Sequence, residues 1–236
     1  MNTTTKRVFI FGVLLWCCQP TNLFAQKTET KISFGSGLFS FTGAYAQNTT
    51  FINYDASTKS GYANNPYGSK NALGYGFSFQ REKIAKWNLI FGFDLGYEIL
   101  RSKILINGVY DDSSNAAKGK TFLNFGFLNF YPFLGYRLKI KNISFDVTGG
   151  FELACRLKSW ESGSAKTSNG IRIYTSNNKS QSNLFDFRKR IQIGLNYRKI
   201  TPYLGYSAGI VDYVSNTGVL NSAFSRMKRI GIAYRL

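Results

Sequence analysis

The sequence predicts an all-β protein, an eight-stranded antiparallel transmembrane β-barrel of the up-and-down kind. Three observations lead there. The stretch WNLIFGFDLGYEI, Trp87 to Ile99, places Trp87, Leu89, Phe91, Phe93, Leu95, Tyr97 and Ile99 at alternate positions, with Gly92, Asp94, Gly96 and Glu98 between them. A period of two puts one wholly apolar and one polar face on an extended strand, and 9 to 11 such residues cross a bilayer when tilted. Seven further segments repeat the pattern, making an even number of strands. The connections between the eight alternate short and long, as in barrels with tight periplasmic turns and long external loops.

The first strand is expected near residues 30 to 41, marked by Ile32, Phe34 and Leu38. The second, near 71 to 81, alternates Leu73, Tyr75, Phe77 and Phe79 with glycine and polar residues. Trp87 to Ile99 is the third, with Phe93 at the middle of its apolar stripe. In the fourth, about 121 to 138, Leu123, Phe125 and Phe127 are expected to face outward, and the change of apolar parity beyond them suggests a bulge near Pro132. The fifth, 142 to 157, carries Ile143, Phe145, Val147, Phe151, Leu153, Cys155 and Leu157 on its lipid side. The sixth (183 to 197), seventh (200 to 211) and eighth (224 to 236) close the series. Residues 82–86, 139–141 and 198–199 read as tight turns, and 42–70, 100–120, 158–182 and 212–223 as long loops rich in Ser, Asn, Gly and Lys.

The N-terminus reads as a secretory signal peptide over residues 1–25: Lys6 and Arg7, an apolar run from Val8 to Cys18, and Ala25 at the cleavage position. Residues 26–236 then form one barrel domain. A lipid attachment at Cys17 or Cys18 is disfavoured because Trp16 and Cys17 precede them where a small residue is needed. No later stretch reaches the 18 apolar residues of a membrane helix. Removing residues 1–25 leaves Cys155 as the only cysteine, so no internal disulfide forms.

The chain carries a net charge of +18. An exported protein does not meet nucleic acid, so the expected partners of this excess are the lipid and phosphorylated glycolipid of the outer leaflet. Lys189, Arg226 and Lys228 interrupt the outward stripes and are expected to reach headgroups by snorkelling. Inside the barrel, Arg156, Arg188, Arg190, Arg229 and Arg235 face Asp94, Glu98, Asp146, Glu152 and Asp186, an expected lumenal ion-pair network, since isolated buried charge is costly. The chain has no histidine, which removes the usual general base and the commonest metal ligand. Asp94 and Glu98 could in principle pair as acid and base, but the lumenal arginines make ion pairing the stronger reading. No catalytic, cofactor or metal residue is assigned, and no enzyme activity or cofactor is expected.

The stretch FLNFYPFLGYRLKIKNISFDVTGGFELACRL, Phe127 to Leu157, with IQIGLNYRKITPYLGYSAGIVDY and RIGIAYRL near the end, resembles the outer-membrane β-barrel domain (PorT-like) family of small Bacteroidetes barrels. The alternation of tight turns and long loops puts both termini in the periplasm, and the resemblance implies an outer-membrane location, insertion by the barrel-assembly machinery, and a role as a narrow pore or accessory of protein secretion. The chain departs from the family pattern by ending on Leu236, which shifts the expected insertion signal to Tyr234. From the residues themselves the expected role is structural or surface-interacting: a monomer with a closed lumen whose loops meet a partner the sequence does not name. A lipocalin-like soluble barrel, apolar inside, is the competing fold; the glycines and small polar residues of the second face oppose it.

Overall fold

The computed structural model describes residues 25–55, 57, 60–111, 113–176, 183–215 and 221–236. The expected signal peptide lies, but for Ala25, outside them. Eleven strands form one sheet: β1 (Ala25–Thr42), β2 (Thr49–Asp55), β3 (Ser60–Ala63), β4 (Lys70–Ala85), β5 (Leu89–Asp111), β6 (Ser113–Ile140), β7 (Ile143–Thr167), β8 (Arg172–Thr175), β9 (Phe185–Tyr197), β10 (Ile200–Gly209) and β11 (Phe224–Arg235). Eight of them, β1, β4, β5, β6, β7, β9, β10 and β11, pair antiparallel in that order, and β11 pairs back onto β1. The sheet therefore closes into an eight-stranded up-and-down barrel.

Directly paired residues trace the stagger of the barrel. From Thr28 they run through Lys83, Phe91, Leu134, Gly149, Ile191, Tyr206 and Lys228 and return to β1 at Leu38, ten residues above the start. A shear of this size tilts the strands by about 40° and gives each residue a rise of about 2.5 Å along the barrel axis.

The outside is apolar and the inside charged. Phe34, Leu73, Phe77, Leu134, Leu204, Ile230 and Ile232 are all about 60% exposed or more, whereas Glu29, Lys31, Glu82, Glu152, Asp186 and Arg188 are at most 2% exposed. An apolar belt of this extent needs hydrocarbon around it, and the polar interior is the inverse of a lipocalin. Trp87, Tyr136, Tyr197 and Tyr234 lie exposed near the hairpin end of the belt, where amphipathic rings favour the interface. At that end the chain turns tightly between Ile140 and Ile143 and between Tyr197 and Ile200, with Lys141 (φ 50°) and Arg198 (φ 53°) in the left-handed region. The third strand starts at Leu89 because Trp87 (φ 61°) and Asn88 (φ 63°) belong to a short 3-10 turn.

Three sequence expectations are corrected. Leu123, Phe125 and Phe127 point inward, 2%, 0% and 1% exposed, and the outward positions of β6 are the even ones throughout. The parity change reflects a lumen filled by aromatic residues in its outer half. No bulge occurs at Pro132: β5 and β6 stay in one register through the Phe93–Pro132 pair, and β6 and β7 keep theirs from Phe130–Leu153 to Phe133–Gly150. The register shift lies opposite Gly126 and Phe127, where Leu157 is the extra residue of β7. Leu157 and Lys158 are consequently both exposed, and Ser159 and Glu161 turn inward. Residues 100–120, finally, are not a loop, because β5 and β6 continue to Asp111 and from Ser113.

Those continuations build a second closed unit. Above the membrane barrel, β5, β6 and β7 join β8, β3 and β2 in a ring: β7 pairs with β8, β8 with β3, β3 with β2, and β2 returns to β5. The β2–β5 and β3–β8 contacts are parallel, so the ring closes only through segments distant in sequence. Ile52, Ile106, Val109, Ala117, Ala165 and Ile173 fill its core, with Tyr54 packed against them. At its base the Glu161 carboxylate accepts hydrogen bonds from the Ala63 N–H (3.0 Å) and the Thr121 hydroxyl (3.1 Å).

Candidate functional site

The lumen is closed by three stacked layers. At the hairpin end, β1, β4, β6 and β7 turn Glu29, Lys31, Glu82, Arg137 and Asp146 inward. Arg137 bonds Asp146 through Nε (2.6 Å), Glu82 (2.8 Å) and Glu29 (3.1 Å), and Lys31 reaches Glu82 at 2.8 Å. Arg235, 27% exposed at its side chain, caps this cluster through Glu29 at 2.9 Å.

Midway up, β9 contributes Arg188 and Arg190 and β11 contributes Arg229. Glu152 of β7 receives all three, Arg188 at 2.9 Å, Arg190 at 2.9 Å and Arg229 at 2.9 Å. Arg188 also holds Asp186 (2.6 Å) and Glu98 (3.0 Å), Arg229 holds Glu98 (2.9 Å) and the Ser207 hydroxyl, and Arg190 holds Asp94 (3.3 Å). The guanidinium groups also sit on ring faces, Arg188 over Phe127 at 4.7 Å and Arg190 over Tyr131 at 4.3 Å. Charge-assisted bonds to several carboxylates at once are what permit such groups to be buried. Beside this layer a cavity of about 40 Å³ is lined by Ser33, Ser78, Asp94, Asn129, Arg190 and Tyr203. It has room for water. Gly35 and Gly231, directly paired, leave space there for the Tyr203 ring.

The third layer is aromatic. Phe39, Phe41, Phe125, Phe127, Tyr67 and Tyr213 pack with Leu100 and Met227, Phe41 meeting Tyr67 and Tyr213 edge-on at 5.1 Å each. Tyr213 comes from the segment after β10 and donates its hydroxyl to Asp186 (2.8 Å). Tyr67, from the segment before β4, donates to the Tyr213 carbonyl (3.3 Å). Two of the expected long loops are thereby folded across the barrel mouth and fastened to the charge layer below.

Of the ten lumenal residues expected from sequence, the structure brings Asp94, Glu98, Glu152, Asp186, Arg188, Arg190 and Arg229 into one cluster. Asp146 and Arg235 fall in the other, and Arg156 lies higher, within electrostatic reach of Tyr67 and Tyr213. Sequence reasoning missed Glu29, Lys31, Glu82 and Arg137. Lys31 and Arg137 lie at inward parity within the expected first and fourth strands, whereas Glu29 and Glu82 lie just beyond the expected ends of the first and second. Lys189, Arg226 and Lys228 share one outward patch, since Ala208 pairs with both Lys189 and Arg226 while Tyr206 pairs with Lys228. Among the described residues no set of His, Cys, Asp and Glu is arranged to hold a metal ion.

These features define a plugged, outer-membrane-type β-barrel carrying an external barrel. No family model matches the chain, and no curated protein matches it. Among solved structures it is similar to Ail, the attachment invasion locus protein of Yersinia pestis, in complex with the heparin analogue sucrose octasulfate, at 10% identity and TM-score 0.38 over 89% of this chain and 100% of that one. Neisserial surface protein A gives 10% and 0.37 over 89% and 100%, and a second Ail structure 8% and 0.38 over the same shares. Similarity at this level concerns the outline of the chain and nothing of its chemistry.

Proposed function

We propose that this protein is a non-enzymatic barrel of a Gram-negative outer membrane, monomeric, with its signal peptide removed near Ala25, its termini in the periplasm and its activity on the outer surface. The observation that carries this reading is the layered plug: two sets of ion pairs and an aromatic layer stacked across the lumen. Its outward contacts are with lipid and phosphorylated glycolipid, and Lys189, Arg226 and Lys228 reach the headgroups from within the apolar belt. The external barrel offers the surface for further partners. Reconstitution in planar bilayers tests the plug: no steady single-channel conductance is expected, and discrete openings from wild-type protein would overturn it. Such openings would favour the narrow pore or secretion accessory that resemblance to PorT-like Bacteroidetes barrels implies.

A further inference from the structure

Above the apolar belt, the outward face of β6, β7 and β8 is basic and carries no compensating acid. Lys118 of β6 is paired directly with Lys166 of β7, and Lys166 directly with Arg172 of β8; all three are exposed. Residues directly opposite on one sheet face stand about 5 Å apart, and like charges there repel. Among the described residues no carboxylate forms an ion pair with any of them. The outward positions from Ala116 to Asn124 and from Lys158 to Lys166 hold no Asp or Glu at all. Three adjacent cations in this setting call for an anion from outside the chain.

The face continues down to the membrane edge. Arg101 and Lys158 fall at one level, about 25 Å above Tyr136, where the apolar stripe of β5 ends at Ile99 and that of β7 at Leu157. Both are held against aromatic rings, Arg101 over Phe122 at 4.7 Å and Lys158 over Trp160 at 5.5 Å. Aromatic and cationic side chains side by side are the mark of the headgroup level. Lys120, also near Phe122 at 5.9 Å, lies between this base and the Lys118 row, which stands about 20 Å higher. A ligand matching the whole face is anchored at headgroup depth and carries negative charge outward from it.

We propose that this face binds the phosphate-bearing saccharide of the outer-leaflet glycolipid, its lower phosphates at Arg101 and Lys158 and its outer ones at Lys118, Lys166 and Arg172. A soluble polyanion would have no reason to meet a ladder that begins at the apolar belt. The site rests on the membrane reading above, and it is separate from Lys189, Arg226 and Lys228, which lie on β9 and β11 about 5–10 Å deeper than Arg101.

The test uses full-length barrel in phosphatidylcholine nanodiscs with or without a phosphorylated glycolipid, scored by the glycolipid retained through washes of rising salt. Wild type is expected to retain the phosphorylated form over its dephosphorylated counterpart. K118Q/K166Q/R172Q is expected to lose about tenfold or more of that retention and much of its salt dependence, at about tenfold or less per cation removed. K83Q/K139Q/K199Q, which removes the same charge at the hairpin end, should retain it fully. Should the triple variant fail to fold, as judged by heat-modifiable migration, K118Q and K166Q singly are expected to show the loss in smaller measure. Equal retention of the dephosphorylated glycolipid, or wild-type retention by the folded variants, overturns the site. So does equal binding of a soluble sulfated oligosaccharide to wild type in glycolipid-free discs, which would assign the face to a free polyanion. Failure of wild type to enter the discs would instead overturn the membrane reading.

Discussion

Arg188 touches Asp186, Glu98 and Glu152, so removing it leaves three buried carboxylates short of a partner at once. Arg188→Ala should cost about 3–5 kcal/mol, read as a clear fall in the temperature at which the folded band disappears in heat-modifiable gel migration. An unchanged temperature would mean that the plug contributes nothing to the stability of the wall. Glu161 is a different case, a carboxylate above the membrane edge with hydrogen bonds but no cation among the described ion pairs. Burial pushes its carboxyl above the usual carboxylate range, against the opposing Ala63 N–H and the Thr121 and Thr175 hydroxyls. A raised pKa in the folded state gives stability that is present in full below the unfolded value and is lost as pH rises through the folded one. Glu161 therefore loosens the external barrel on going from mild acid to neutral pH. Glu161→Gln should flatten this trend and leave β3 and β8 better protected at pH 7, with limited proteolysis from pH 5 to 8 as the check; equal cleavage of both proteins at both ends would exclude the effect.

At the scale of the strand, two corrections sharpen what can be expected of substitutions. Phe93 pairs directly with Arg81, which puts it toward the hairpin end of the belt. Leu95, flanked by Phe79 and Phe130 and 46% exposed, is nearer the middle of the hydrocarbon. Leu95→Arg should then cost about 2–4 kcal/mol of folding into vesicles and Phe93→Arg less; the reverse order would move the belt along the strand. Deletion of Leu157 should, by contrast, be tolerated. Leu157 is the extra residue of a bulge, so its removal joins Arg156 to Lys158 in one unbroken register with β6, with Lys158, Trp160 and Lys166 still outward and Glu161 still inward. The deleted chain should keep the protease resistance of β2, β3 and β8 and the heat-modifiable band of the lower barrel; loss of either would show that the bulge itself is required.

The same strands show what a sequence makes legible. All eight barrel strands could be read because lipid on one side and a crowded polar lumen on the other impose strict alternation. Leu123, Phe125 and Phe127 were assigned to the wrong face because period two reveals which residues share a face but not which face meets lipid. The external barrel was invisible for a related reason: β2, β3 and β8 are 7, 4 and 4 residues long, and their ring closes by parallel pairings between segments far apart. In the central charge layer the residue types could be found by parity. Their division into two clusters depends on the ten-residue stagger, which no single strand carries.

For the whole molecule, two closed rings of hydrogen bonds share β5, β6 and β7. Hydrogen exchange should resolve them: amides of β2, β3 and β8 are expected to exchange together and early, those of the lower barrel far later. Exchange of both rings at one rate would make them a single cooperative unit. The shared strands have a mechanical consequence as well. Within them, the crossing from lipid to solvent contains a bulge but no flexible linker, so the outer ring is a rigid mast whose height and direction are set when the lower ring inserts. A load applied at its tip is carried by in-register ladders straight into the wall of the barrel. Whatever touches the tip therefore meets it at a fixed stand-off of about 20 Å from the headgroups.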